Sequence, residues 1–109
     1  MAMIEVGKVG DIQPGTMKPF QAENKKILVA NIAGKFYALD NRCTHAGGDL
    51  SKGKLEGQIV VCPRHGSRFD VTTGVCIQGP KVGIFSPAIK NEKVYVVRVE
   101  GSSVKVEVD

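Results

Sequence analysis

The chain has 109 residues, the size of one ordinary domain, and its 42% hydrophobic and 24% charged content excludes wholesale disorder. No stretch approaches the roughly 20 apolar residues of a transmembrane helix, and residues 1–8 lack the basic start and apolar run of a signal peptide, so a soluble, cytoplasmic protein is expected. A net charge of +4 raises nucleic-acid binding, but the basic residues are scattered among Asp and Glu, and six aromatics form no basic–aromatic stripe, so none is expected.

In chain order, Asp11-Ile12-Gln13-Pro14-Gly15 reads as a turn. Residues 27–32 (ILVANI) form a strand rich in β-branched side chains, and Ala33-Gly34-Lys35 turns it into a second strand at 36–39. Residues 58–61 lead as a strand directly into Cys62, and 68–71 return beside them. Residues 94–99 and 104–108 flank Glu100-Gly101-Ser102-Ser103 and pair as a hairpin, the second run alternating Val with charge at the period of a half-buried strand. Glycine concentrates between Gly47 and Gly83, where the strand pattern breaks into what reads as loops. The fold class is all-β: an antiparallel base from both ends of one domain spanning 1–109, with a small subdomain inserted at about 41–82.

Those central loops hold all the cysteine and histidine. Cys43-Thr44-His45 is followed, sixteen residues on, by Cys62-Pro63-Arg64-His65. Each box offers one soft thiolate and one imidazole. Two such loops suit an asymmetric two-iron centre in which sulfur binds one iron and nitrogen the other. Zinc accepts the same donors, but its structural sites usually pair C-x-x-C with H-x-x-x-H, and C-x-H is short for one tetrahedral ion. The third cysteine, Cys76, reads as a small buried hydrophobe in Val75-Cys76-Ile77.

The boxes Cys43-Thr44-His45-Ala46-Gly47-Gly48 and Cys62-Pro63-Arg64-His65-Gly66-Ser67-Arg68-Phe69-Asp70 resemble those of Rieske ferredoxins. The likeness extends to the lead-in Phe36-Tyr37-Ala38-Leu39-Asp40-Asn41-Arg42, to Thr73-Gly74 and to Gly79-Pro80. The resemblance implies one Rieske [2Fe–2S] cluster per chain, with Cys43 and Cys62 on the inner iron and His45 and His65 on the outer. It implies no catalytic residue, protein redox partners, and electron carriage from a reductase to a terminal oxygenase. The alternative is a small subunit of a larger oxidoreductase. The chain is not the oxygenase itself, because no histidine remains for a second, mononuclear iron.

Two neutral imidazoles in place of thiolates raise the potential into a range of about −150 to +300 mV. High-potential members of the family carry two extra loop cysteines joined in a disulfide; the matching positions are Gly48 and Arg64. They also tend to carry Tyr where this chain has Phe69, two residues beyond Ser67, and the missing hydroxyl removes a hydrogen bond to the reduced cluster. Both departures point to the low-potential end, and the absent disulfide fits a reducing compartment.

Overall fold

The computed structural model describes residues 2–44, 47–64, 66–79 and 90–108; apart from two short 3-10 turns, every regular element among them is a strand, and every strand pairing is antiparallel. Among the described residues, eleven strands make three sheets. The first sheet joins β1 (Ala2–Lys8), β11 (Ser103–Val108) and β10 (Val97–Glu100), with β11 central. The second runs β2 (Met17–Ala22), β3 (Lys25–Ile32), β4 (Lys35–Asp40) and β9 (Val94–Tyr95). The third, built from chain lying between β4 and β9, is a meander of β5 (Lys54–Glu56), β6 (Ile59–Val61), β7 (Arg68–Asp70) and β8 (Cys76–Gln78).

β3 explains the layering. Its Ile27, Leu28, Val29 and Ala30 are all fully buried, so it has no solvent face. Successive strand side chains point to opposite faces. Ile27 and Val29 therefore join one core, with Ala38, Val104, Val106 and Val108 of the first and second sheets. Leu28 and Ala30 join another, with Leu39, Leu50, Val60, Phe69 and Val71. A strand buried on both sides reads as a continuous apolar run rather than an alternation, as ILVA does. β11, covered on one face only, keeps the alternation, with Val104, Val106 and Val108 buried between half-exposed neighbours.

The β3–β4 hairpin closes through Ala33 and Gly34, both at positive φ (54° and 93°), which gives the two-residue turn that matches strand twist. The Gly34 amide donates to the buried Asn31 side chain at 2.8 Å, securing the turn.

The predicted strands are present, with three differences. Residues 94–99 do not form one strand: Val94 and Tyr95 pair with Leu39 and Ala38 of β4, whereas Val97–Glu100 pair with β11, so the chain changes sheets at Val96. β1 and β2 were not anticipated, because their apolar positions are interrupted by Gly7 and by Pro19. The third sheet contains the expected strands at 58–61 and 68–71 and adds β5 and β8 within the stretch expected as loops, three-residue strands too short to show a period.

Candidate metal centre

The two cysteine boxes follow strands of different sheets and adopt the same backbone frame. β4 ends at Asp40, and Asn41 leads into Cys43; β6 ends at Val61, immediately before Cys62. The Cys43 amide donates to the Gly48 carbonyl at 2.8 Å, and the Gly47 amide donates back to the Cys43 carbonyl at 3.1 Å. Cys62 repeats this with Ser67 at 2.8 Å and Gly66 at 3.1 Å. In each loop the glycine four residues after the cysteine takes a positive φ, 71° at Gly47 and 76° at Gly66. A side chain there would be strained, so both glycines are required by the turn.

The loops meet edge to edge. Cys43 and Cys62 are 2% and 3% exposed and both belong to the second core. A Cβ on Gly48 would lie 2.9 Å from the Cys62 sulfur, closer than real side chains approach, so a side chain there would require the two loops to shift. The same position lies 3.4 Å from the Arg64 Cβ, just short of the Cβ–Cβ separation of about 3.5–4.5 Å that a disulfide spans. The two positions singled out by the family likeness therefore face each other across the loops.

Surrounding groups hold this arrangement. Asn41 donates to Asp49 at 2.6 Å and accepts from the Ser51 amide at 2.9 Å, tying the base of the first loop. The Ser51 hydroxyl is the main cause holding the Asp49 carboxyl down at about 2; burial opposes it, and Asn41 and the Lys26 ammonium at 3.4 Å assist. On the other side, the Thr44 amide donates to Glu92 Oε2 at 2.8 Å and the Thr44 hydroxyl to the Lys90 carbonyl at 2.6 Å. Glu92 is 5% exposed and its second carboxyl oxygen has no partner. Burial pushes its pKa up to about 7, against the Thr44 hydrogen bond and with a smaller push from Asp40.

Of the four predicted ligands, the structure brings Cys43 and Cys62 together; His45 and His65 lie outside the described residues, as does Pro80. Among the described residues no three His, Cys, Asp or Glu side chains converge. Cys76 is half-buried on β8 rather than fully enclosed, and it packs at the margin of the second core. The Glu92–Thr44 clasp was missed: one acid in Lys90-Asn91-Glu92-Lys93 reads as a solvated turn, and no period marks it as buried.

One atom tests which group these residues fit. Ser67 is fully buried, yet its hydroxyl has no hydrogen-bond partner among the described residues. Leaving a buried hydroxyl unpaired costs about 1–3 kcal/mol. It sits in the second loop, whose Cys62 amide binds the Ser67 carbonyl. The sulfur of a metal-bound thiolate, or the inorganic sulfide of an iron–sulfur cluster, supplies the missing acceptor. Two buried thiols beside an unpaired donor fit an iron–sulfur cluster.

Comparison with known proteins agrees. Residues 2–88 match the Rieske [2Fe-2S] domain model. The biphenyl 2,3-dioxygenase ferredoxin component of Rhodococcus jostii (strain RHA1) is 35% identical over 109 residues, covering 100% of this chain and 95% of that relative. Among solved structures, the Sphingomonas yanoikuyae B1 ferredoxin superposes with a TM-score of 0.84 at 28% identity, covering 99% of this chain and all of that one. A complex of reduced oxygenase and oxidized ferredoxin in carbazole 1,9a-dioxygenase matches with a TM-score of 0.81 at 31% identity, covering 95% and 91%. With its twin loops, buried thiols and antiparallel sheets, the chain belongs to the Rieske [2Fe–2S] family.

Proposed function

We propose that Cys43 and Cys62 bind one iron of a single [2Fe–2S] cluster and His45 and His65 the other. The protein is read as a cytoplasmic electron carrier, not an enzyme, that moves one electron at a time from a reductase to a terminal oxygenase. Residues 1–109 are taken as one Rieske domain, with about 41–82 as its cluster-binding part. The bound cluster supplies one-electron exchange. The residues of this chain hold it, exclude water from its sulfur side through the buried Cys43 and Cys62, and offer the Ser67 hydroxyl as a donor.

The observation that carries this reading is the unpartnered Ser67 hydroxyl behind two matched cysteine loops. The relatives support the partner assignment: they are ferredoxin components of dioxygenase systems, and one similar ferredoxin is seen bound to its oxygenase. Electron paramagnetic resonance of the dithionite-reduced protein, with iron and acid-labile sulfide analysis, tests it. A rhombic Rieske signal with two irons and two sulfides per chain is expected, because each cluster contains that number. His45→Ala and His65→Ala should each abolish the signal. Absence of sulfide, or a chromophore that survives loss of either histidine, would sink the assignment.

A further inference from the structure

The twin ligand loops share a feature at the residue that follows each cysteine: neither leaves an amide hydrogen free there. In the second loop that residue is Pro63, which has no N–H to give. In the first it is Thr44, whose N–H is taken by Glu92 Oε2 at 2.8 Å. Both loops close through the same pair of backbone hydrogen bonds, so Thr44 and Pro63 occupy equivalent places, each directly after a buried cysteine. One outcome is reached by two different means.

Glu92 is placed for this by its own segment. Its amide donates to the Gly74 carbonyl at 2.8 Å, and the Asp40 amide donates to the Lys93 carbonyl at 2.9 Å. Asn91 Oδ1 accepts from the Cys76 amide at 2.8 Å, and the Lys90 carbonyl accepts from the Thr44 hydroxyl at 2.6 Å. Residues 90–93 therefore bond at once to β4, to β8, to the stretch between β7 and β8 and to the first ligand loop. A Cβ on Gly74 would lie 2.3 Å from the Glu92 carbonyl oxygen, so glycine there lets the segment come close. Burying a carboxyl is costly, and Oε1 of this one has no hydrogen-bond partner among the described residues. An apolar side chain would fill the place without that cost. What the acid adds is an acceptor for the Thr44 amide.

We propose that Glu92 sets the reduction potential by keeping the Thr44 amide from the cluster, as the ring of Pro63 does in the second loop. The inference rests on the carrier reading above and adds a residue that tunes the carrier. Hydrogen bonds to cluster sulfur stabilise the reduced, more negative state and raise the potential. An amide between the ligands Cys43 and His45 is well situated to make one, and at that place both loops are denied it. Donation is left to other groups, the Ser67 hydroxyl among them. Glu92 acts through Thr44, so it is a positioning residue rather than a ligand. A lower potential makes the reduced carrier the stronger donor to its acceptor.

Protein-film voltammetry of the cluster-loaded protein compares wild type with Glu92→Ala, Glu92→Gln and Pro63→Ala. At pH 6 the Glu92 carboxyl, raised by burial to about 7, is mainly neutral, so glutamine differs from it in neither charge nor acceptor. Glu92→Ala frees the amide and should favour the reduced form about tenfold at a fixed electrode potential, an upward midpoint shift of about 59 mV for one electron. Glu92→Gln should stay within about twofold of wild type on the same scale. Pro63→Ala gives the second loop the amide it lacks and should shift the midpoint upward like Glu92→Ala. Electron spin-echo modulation of reduced protein in deuterium oxide should show one more coupled deuteron in each of the two alanine variants than in wild type.

A clasp with a structural role alone would lower the iron content of Glu92→Ala without moving the midpoint of the cluster that remains, and that result would overturn the proposal. Equal shifts in the alanine and glutamine variants of Glu92 would overturn it too. If Glu92→Ala takes up no cluster, Pro63→Ala carries the test, and an unchanged midpoint there overturns the proposal equally. Wild-type protein without sulfide or a visible chromophore removes the carrier reading itself, a failure seen before any potential is measured.

Discussion

Glu92 gives the sharpest test of how the first ligand loop is held. Its carboxyl is 5% exposed, one oxygen accepts from the Thr44 amide at 2.8 Å, and the other has no partner. Burial raises the pKa from an ordinary 4.5 to about 7. A rise of that size corresponds to about 3 kcal/mol, and solvent screening at a partly hydrated site reduces it to about 2 kcal/mol. The folded-state pKa lies above the unfolded one. The favourable contribution is therefore fully present below pH 4.5 and is lost as pH rises through 7.

Glu92→Gln mimics the protonated acid, keeping an acceptor for the Thr44 amide and a donor in place of the carboxyl proton. Its buried amide hydrogens lack partners, a penalty of about 1–3 kcal/mol that does not depend on pH. The informative quantity is therefore the difference between variant and wild type followed across pH. From pH 5 to pH 9 that difference should move by about 2 kcal/mol in favour of glutamine, about 10 °C in melting temperature for a domain of this size. Circular-dichroism melts of both proteins at five pH values measure it, and titrations common to the two cancel. Parallel profiles would show that Glu92 is not held protonated and that the burial argument fails.

Asp49 works in the opposite direction: its folded pKa of about 2 lies below the ordinary 3.8, so its contribution is present above pH 3.8 and disappears as pH falls towards 2. Denaturant titrations should show wild type losing about 1–2 kcal/mol between pH 5 and pH 2 that Asp49→Asn does not lose. A Cβ on Gly53 would lie 1.9 Å from the Val61 carbonyl oxygen, one residue before Cys62, so Gly53→Ala should cost about 1–3 kcal/mol and lower the iron and sulfide bound per chain. Ser67→Ala removes the unpartnered donor, and protein-film voltammetry should find its midpoint about 60 mV below wild type, the equivalent of about 1.4 kcal/mol. The wild-type midpoint itself should fall below about +100 mV, in the lower part of the class range.

What the sequence made legible follows from how many neighbours each feature needs. The cysteine–histidine boxes are local chemistry, so their residue types identify the family without any fold. β3 and β11 show their character because burial on two faces or one face is written directly into hydrophobic spacing. In the third sheet the runs at 58–61 and 68–71 show as strands, whereas Lys54–Glu56 and Cys76–Gln78 are three residues long, depend on pairing with those neighbours and have no local pattern that announces them. The equivalence of the two loops was present in the sequence, since each has glycine four residues after its cysteine. The unequal Cys-to-His spacing, C-x-H against C-x-x-H, masks it. The Glu92 clasp joins positions 48 residues apart and carries no local mark.

The two cores on either face of β3 divide the work of folding from that of cofactor binding. The core shared by the first and second sheets contains no sulfur donor, whereas Cys43 and Cys62 are members of the other. The thiols of Cys43 and Cys62 are buried in it, and the nearby Ser67 hydroxyl is a buried polar group without an acceptor among the described residues. Its packing is thus coupled to metal in the way that binding energy becomes folding energy at a site that is not fully formed alone. The first core, with Val104, Val106 and Val108 against Ile27 and Val29, has no such dependence. β3 belongs to both, so it can stay ordered on one face while the other waits for its cluster. This places the stable base behind the ligand loops.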